Sequence, residues 1–159
     1  MTIRRYKPAD LEEIARLFYE TVHTINLKDY TQAQVDAWAT GQVDLEKKGA
    51  LFQEHLTYVA TENHRIIGFG DIDQTGYIDN LFVHKDHQRQ GVATAICDRL
   101  ESETQADIIK VHASITAKPF FETRGYATVK CQEVEKRGVR LTNYIMSKKN
   151  LPADSVDLP

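Results

Sequence analysis

The stretch DNLFVHKDHQRQGVATAI, residues 79–96, constrains the fold more than any other part of the chain. Apolar Leu81, Phe82 and Val83 end a strand, a charged turn follows, and a helical pattern begins directly after Gly91. Val92, Ile96 and Leu100 fall on one stripe of that helix. The next apolar run, IIKVHAS at 108–114, reads as a strand again. A strand, a helix and a strand in this order make a parallel pair joined across a helix.

The remaining segments fit around that unit. TIRRY is a short strand, and Asp10 with Glu13 has the spacing of a helix-opening capping box. Leu11, Ile14, Ala15, Phe18 and Val22 then recur at helical spacing. Thr31 and Gln34 repeat the capping pattern before a short helix through Val35 and Trp38. Residues 40–55 are mixed in character and carry no clear period. TYVAT (57–61), RIIGFGDI (65–72) and GYIDNLFV (76–83) are strands on short turns, the pattern of an antiparallel meander. TAKPFFETRG is a short helix with Pro119 in its first turn and Gly125 at its end. YATVKCQEV and VRLTNYIMS pair around EKRG. The expected fold is α/β, a mixed sheet with helices on its faces. It forms one domain over residues 1–150, with 151–159 as a C-terminal tail.

Composition narrows the function. A net charge of −3 leaves no polybasic footprint, so nucleic acid is disfavoured as a partner. No apolar run has the length of a membrane span, and the N-terminus lacks the apolar core of a signal peptide. Cys97 and Cys131 do not make a disulfide framework and read as small core residues. A reducing cytoplasm is the simplest compartment. The spacings of the histidines (23, 55, 64, 84, 87, 112) resemble no metal site, so no metal is expected.

The turn before the helix that follows Gly91 carries the chemistry. A helix start offers unpaired N–H groups and partial positive charge. Gly91 lets backbone approach a ligand, Ala93 keeps the next turn small, and Arg89 adds charge. These features suit a phosphate. The loop is neither a Walker P-loop nor a dinucleotide fingerprint. On these residues alone a second reading stays open, in which Gly91 only permits a tight turn.

Q-x-x-G-x-A, as Gln88, Gly91 and Ala93, resembles the acyl-CoA pyrophosphate loop of the GNAT superfamily of N-acetyltransferases. The order of elements resembles that fold too: a mostly antiparallel sheet with a central, splayed parallel pair. YTQAQVDAWA, YIDNLFV, RQGVATA, SITAKPFFE and RGVRLTNYIM resemble the YafP-like branch of the superfamily, and the likeness spans nearly all of residues 2–149.

The resemblance implies acetyl-CoA as co-substrate and an amine as acceptor, a small molecule by expectation. Pantetheine would pair with the main chain of Leu81, Phe82 and Val83, since an amide-bearing arm can mimic a strand. The pyrophosphate would lie on Gln88, Arg89, Gln90, Gly91, Val92, Ala93 and Thr94. Ser114, Ala117, Phe120 and Phe121 would line the thioester end. The Val83 N–H would serve the oxyanion, and Asp79 is the candidate base, against an alternative as a paired surface carboxylate. Tyr77 shares the face of Asp79 by the strand period. The family's variable acceptor region corresponds to residues 20–39, where His23, Asn26, Tyr30 and Trp38 could line a pocket.

The family's usual acid, a tyrosine, is replaced by Phe121. Tyr126 and Tyr144 are candidates to replace it, and the alternative is that the thiolate leaves unaided. Phe121 also sustains an alternative from another class, a non-catalytic acyl-CoA-binding sensor. Exposed edge strands near the C-terminus would permit a homodimer.

Overall fold

A computed structural model describes residues 1–150; the expected tail, 151–159, lies outside the described residues. The elements are β1 (Thr2–Arg5), α1 (Leu11–Thr24), α2 (Gln32–Trp38), α3 (Leu45–Glu54), β2 (Leu56–Glu62), β3 (Arg65–Ile72), β4 (Tyr77–Val83), α4 (Val92–Glu103), β5 (Ile108–Ser114), α5 (Lys118–Thr123), β6 (Ala127–Lys136) and β7 (Val139–Lys149). They build a seven-stranded sheet in the order β1-β2-β3-β4-β5-β7-β6. Every neighbouring pair is antiparallel except β4 and β5, which are joined through α4.

Apolar side chains sort onto two faces. Ile78, Val92, Ile96, Leu100, Val111 and Met146 form the core between the sheet and α4 with α5. Ile14, Leu17, Phe52 and Phe69 fill the other face under α1 and α3, and Val22, Val35 and Leu141 continue it under α2. Gly68 on β3 lets α4 sit close, since a Cβ there would come within 2.7 Å of the Val92 side chain. Ile96 is wholly buried at this contact, and cutting it to alanine would cost about 2–5 kcal/mol.

Several expectations change. Residues 45–54 form α3, opened by the Asp44 side chain accepting from the Lys47 N–H at 3.1 Å. Only Phe52 of this helix is buried, so its sequence has almost no apolar stripe to read. Thr31 and Gln34 make the reciprocal capping box (3.1 and 2.8 Å), but Asp10 does not cap α1. Its carboxylate takes both Arg4 nitrogens at 2.8 Å and the Lys7 N–H, fastening β1 to the 3₁₀ turn Pro8–Asp10. Cys97 is buried as expected, whereas Cys131 is exposed, because β6 is an edge strand with most side chains in solvent. Among the described residues no helix is long and apolar enough to cross a membrane.

Candidate active site

The parallel pair β4–β5 is short. Tyr77 faces Lys110 and Ile78 faces Val111, and there the pairing stops. β4 stays on β3 as far as Val83, opposite Gly68, and β5 stays on β7 as far as Ser114, opposite Asn143. The strands therefore splay beyond Ile78, and a cleft of about 1890 Å³ opens between and in front of them. The His84 N–H bonds to Ile67 O on the β3 side. Alternation along an antiparallel ladder then turns both polar groups of Val83 toward the gap. Val83 O is met from that side by the Thr21 hydroxyl at 3.0 Å and the Gln88 side-chain amide at 2.8 Å. Gln88 thus braces the loop with its side chain.

The same loop leaves the start of α4 open. Gly91 is the N-cap, at φ +80°, with no side-chain cap, and Arg89 is also left-handed at φ +60°. The first helical bond is the Ala95 N–H to Gly91 O at 3.0 Å, which leaves the amides of Val92, Ala93 and Thr94 outside the helical ladder. A Cβ on Gly91 would meet nothing within 4 Å, so the glycine serves the backbone turn and keeps clear the space ahead of it. Arg89, Gly91, Val92, Ala93 and Thr94 line the cleft, and Gln90 does not.

At the other end of the exposed β4 edge lies an acidic cluster. Asp71 on β3 is opposite Asn80, but its neighbour Ile72 is opposite Ile78, so Asp79 is the extra residue of a β-bulge. The bulge explains why Ile78 and Leu81, an odd number apart, pack on the same core. Asp71 is fully buried and accepts from the Asn80 side chain at 2.9 Å. Its other oxygen lies 2.7 Å from His55 Nδ1. Polar atoms of His55, Asp71 and Asp79 all fall within 4.8 Å of one another. Spacing along the chain gave no sign of this convergence, because three different elements supply it.

Asp79 reaches solvent through the cleft mouth, yet protein walls surround its carboxylate. That enclosure, with the Asp71 charge next, raises its pKa above the ordinary value, while Lys48 and His55 pull it back. The hydrogen bond to Asp71 raises His55. Tyr77 packs edge-on against His112 from β5, and burial, then Asp79, push its hydroxyl up to about 12.

The far wall is more closed. The Ser114 hydroxyl accepts from the Ala117 N–H at 3.0 Å and shapes the turn into α5. Ala117 and Phe120 line the cleft, as does Phe121, whose ring is otherwise buried against Tyr126 at 5.0 Å between centroids. The Tyr126 hydroxyl donates to Glu101 at 2.8 Å, so its proton is held away from the cleft. Glu101 also takes Arg124 at 2.9 Å and Lys148 at 3.1 Å. Burial would raise Glu101, but the Arg124 and Tyr126 hydrogen bonds outweigh it and hold the carboxyl low.

The expected acceptor residues divide. Asn26, Tyr30, Trp38 and Tyr77 line the cleft. The Tyr30 hydroxyl is committed, donating to Thr142 O at 2.7 Å and accepting from the Ile115 N–H at 2.9 Å. Trp38 lies against Tyr30 and Phe82. His23 sits outside the lining, with Nε2 2.7 Å from Ala39 O and its ring stacked on Tyr19.

The fold that carries this cleft is shared with known proteins. The acetyltransferase (GNAT) domain family matches residues 26–148. The chain belongs to the GNAT acetyltransferase family. This GNAT enzyme is 39% identical over 149 residues to the uncharacterized N-acetyltransferase YafP of Escherichia coli K12, covering 92% of this chain and 95% of that one. A GCN5-related N-acetyltransferase structure from Rhodopseudomonas palustris shares 32% identity at a TM-score of 0.89, with 93% and 94% of the two chains covered. The yncA protein of Salmonella typhimurium, solved with its cofactor acetyl-CoA, shares the fold at a TM-score of 0.73 and 18% identity, covering 94% of each chain. The chain is thus an N-acetyltransferase of the acyltransferase class.

Proposed function

We propose that this enzyme binds acetyl-CoA along the β4 edge of the gap and transfers its acetyl group directly to an amine of a small acceptor, within a ternary complex. One observation carries the reading. The gap that starts at Asp79 ends at the uncapped amides of α4, so one continuous edge offers a carboxylate, strand amides and an anion site in sequence.

The residues take these roles. The main chain of Leu81 and Val83, whose polar groups face the gap, holds the pantetheine arm, while Phe82 between them stays paired with Phe69. The loop from Gln88 to Thr94 holds the pyrophosphate, mainly through the amides after Gly91. Acetyl-CoA supplies the thioester. The Val83 N–H, turned to the gap, donates to the oxygen that gains charge as the amine attacks. Asp79 receives the amine's proton, directly or through water. A base is needed because a lysine-like amine, with a pKa near ~10.4, is mostly protonated at neutral pH. Phe121 cannot protonate the leaving sulfur, Tyr126 is tied to Glu101, and Tyr144 lies outside the cleft lining with Lys118 over its ring. The thiolate therefore leaves unaided, which is reasonable for a thiol with an ordinary pKa of ~8.5. Ser114, Ala117, Phe120 and Phe121 close the thioester end, and Tyr77 and Trp38 border the acceptor.

The test is thiol release from acetyl-CoA with a panel of small primary amines, with mass detection of the acetylated product. Amine-dependent release matched by product supports the reading. Tight acetyl-CoA binding without turnover of any amine would leave a binding module instead. Gly91→Glu places a side chain and a negative charge where the pyrophosphate is to lie. Calorimetry should show acetyl-CoA affinity falling by at least ~100-fold in a folded variant, about 2.7 kcal/mol. Unchanged affinity would remove the loop from the site.

A further inference from the structure

The bulge at Asp79 is held from behind. An extra residue in a strand disturbs the ladder and is free to shift unless something fixes its neighbours. Here Asn80 is tied to Asp71, Asp71 is tied to His55, and Asp71 is wholly buried. A buried carboxylate is costly to desolvate, and an apolar side chain would pack the same position more simply. His55 keeps its side chain 12% exposed, beside the cleft carboxylate. The splay of β4 from β5 begins at the same bulge, since the last parallel pair is Ile78 with Val111.

We propose that His55 and Asp71 form a positioning couple that aims Asp79 into the cleft and biases its charge from both sides. The inference rests on the reading of Asp79 as the proton acceptor. Within the couple, Asp71 repels a charge on Asp79 and the imidazolium of His55 attracts it. The other groups facing Asp79 are Lys48 from α3, Asp73 from the β3–β4 turn, and Tyr77 on β4 itself, which carries His112 of β5 on its ring. Lys48 acts in the sense of His55, and Asp73 in the sense of Asp71.

The couple makes a signed prediction. At saturating amine, kcat should rise with pH along a limb that reports Asp79 in the complex. His55→Asn keeps a donor near the Nδ1 position but removes the cation, so the limb should move up in pH. Asp71→Asn removes the like charge, so the limb should move down. Each shift should be about half a pH unit or more, given charges this close, while KM for acetyl-CoA stays within about twofold. Circular dichroism checks folding, and if Asp71→Asn does not fold, the upward shift of His55→Asn decides alone. A limb that stays in place while kcat falls equally at every pH would overturn the proposal and make the couple merely structural. So would shifts in the same direction, or activity lost to a chelator and restored by a divalent cation. Asp79→Asn is assayed alongside. If it keeps kcat within tenfold, the reading of Asp79 fails; if it does not and the limbs stay fixed, only the couple fails.

Discussion

Glu101 is a half-buried carboxylate and Asp79 one exposed on the cleft, and their surroundings push them in opposite directions. Glu101, on α4, is met by Arg124, Tyr126 and Lys148, which hold it low. Asp79, on the bulge of β4, is held high by partial loss of water around it and then by its buried carboxylate neighbour Asp71. Glu101 ties α4 to the segments that follow it and keeps its charge. Asp79 lines the cleft and, in the mechanism proposed above, is the group that takes the amine's proton. A carboxylate with every lone pair satisfied serves stability, whereas one kept beside another negative charge serves chemistry at a cost in stability.

Removing each carboxylate in turn should separate these roles. The largest effect belongs to Asp79→Asn, which should lower kcat by roughly 10²-fold or more, the scale of losing a general base. Its melting temperature should hold or rise, because a like-charge contact with Asp71 is relieved. Steady-state kinetics and a thermal melt read both quantities. If only KM for the amine rose, Asp79 would be a binding group and the contrast would collapse.

Glu101→Gln should do the reverse. Losing one partner of an enclosed ion cluster costs about 3 kcal/mol, which lowers the melting temperature of a chain this size by roughly 6–12 °C. At a temperature where the variant is folded, kcat should change less than about twofold, far below the ~10²-fold of a lost base. The sign with pH follows from the depressed pKa. The stabilisation is full above the unfolded carboxyl value of ~4.3 and is lost as pH falls through the lower folded value. The difference between wild type and variant should therefore shrink in acid, and melts between pH 7 and pH 3 would show it.

The smallest effect is expected at Phe121. Phe121→Tyr restores a hydroxyl in a nearly equal volume, yet kcat should change by less than about tenfold, or ~1.4 kcal/mol of barrier, if the thiolate leaves unaided. A large gain would show that protonation of the leaving group limits the natural enzyme.

What the chain announces in its sequence follows the range of the interactions. The loop at 88–94, the end of the strand before it and the start of the helix after it lie within eighteen residues, 79–96, so their local pattern is enough. The Thr31–Gln34 capping box is equally local. The acidic end of the cleft is not. His55, Asp71, Asp79 and Asn80 meet only through cross-strand register and a bulge, and neither leaves a mark on one-dimensional spacing. Residues 45–54 were unreadable as a helix because α3 buries only Phe52. The insertion of β7 between β5 and β6 is likewise a matter of long-range pairing, and it is what strands Cys131 on an exposed edge.

The pH dependence of kcat at saturating amine, in the wild type and in Asp79→Asn, tests the account most directly. The wild type should show a rate that rises with pH through a limb lying above the ordinary aspartate value of ~3.9, because Asp79 must be ionised to take the proton and its surroundings oppose that charge. In Asp79→Asn the limb should vanish along with most of the rate. A limb that persists unchanged in the variant would contradict the account and move the base to another group.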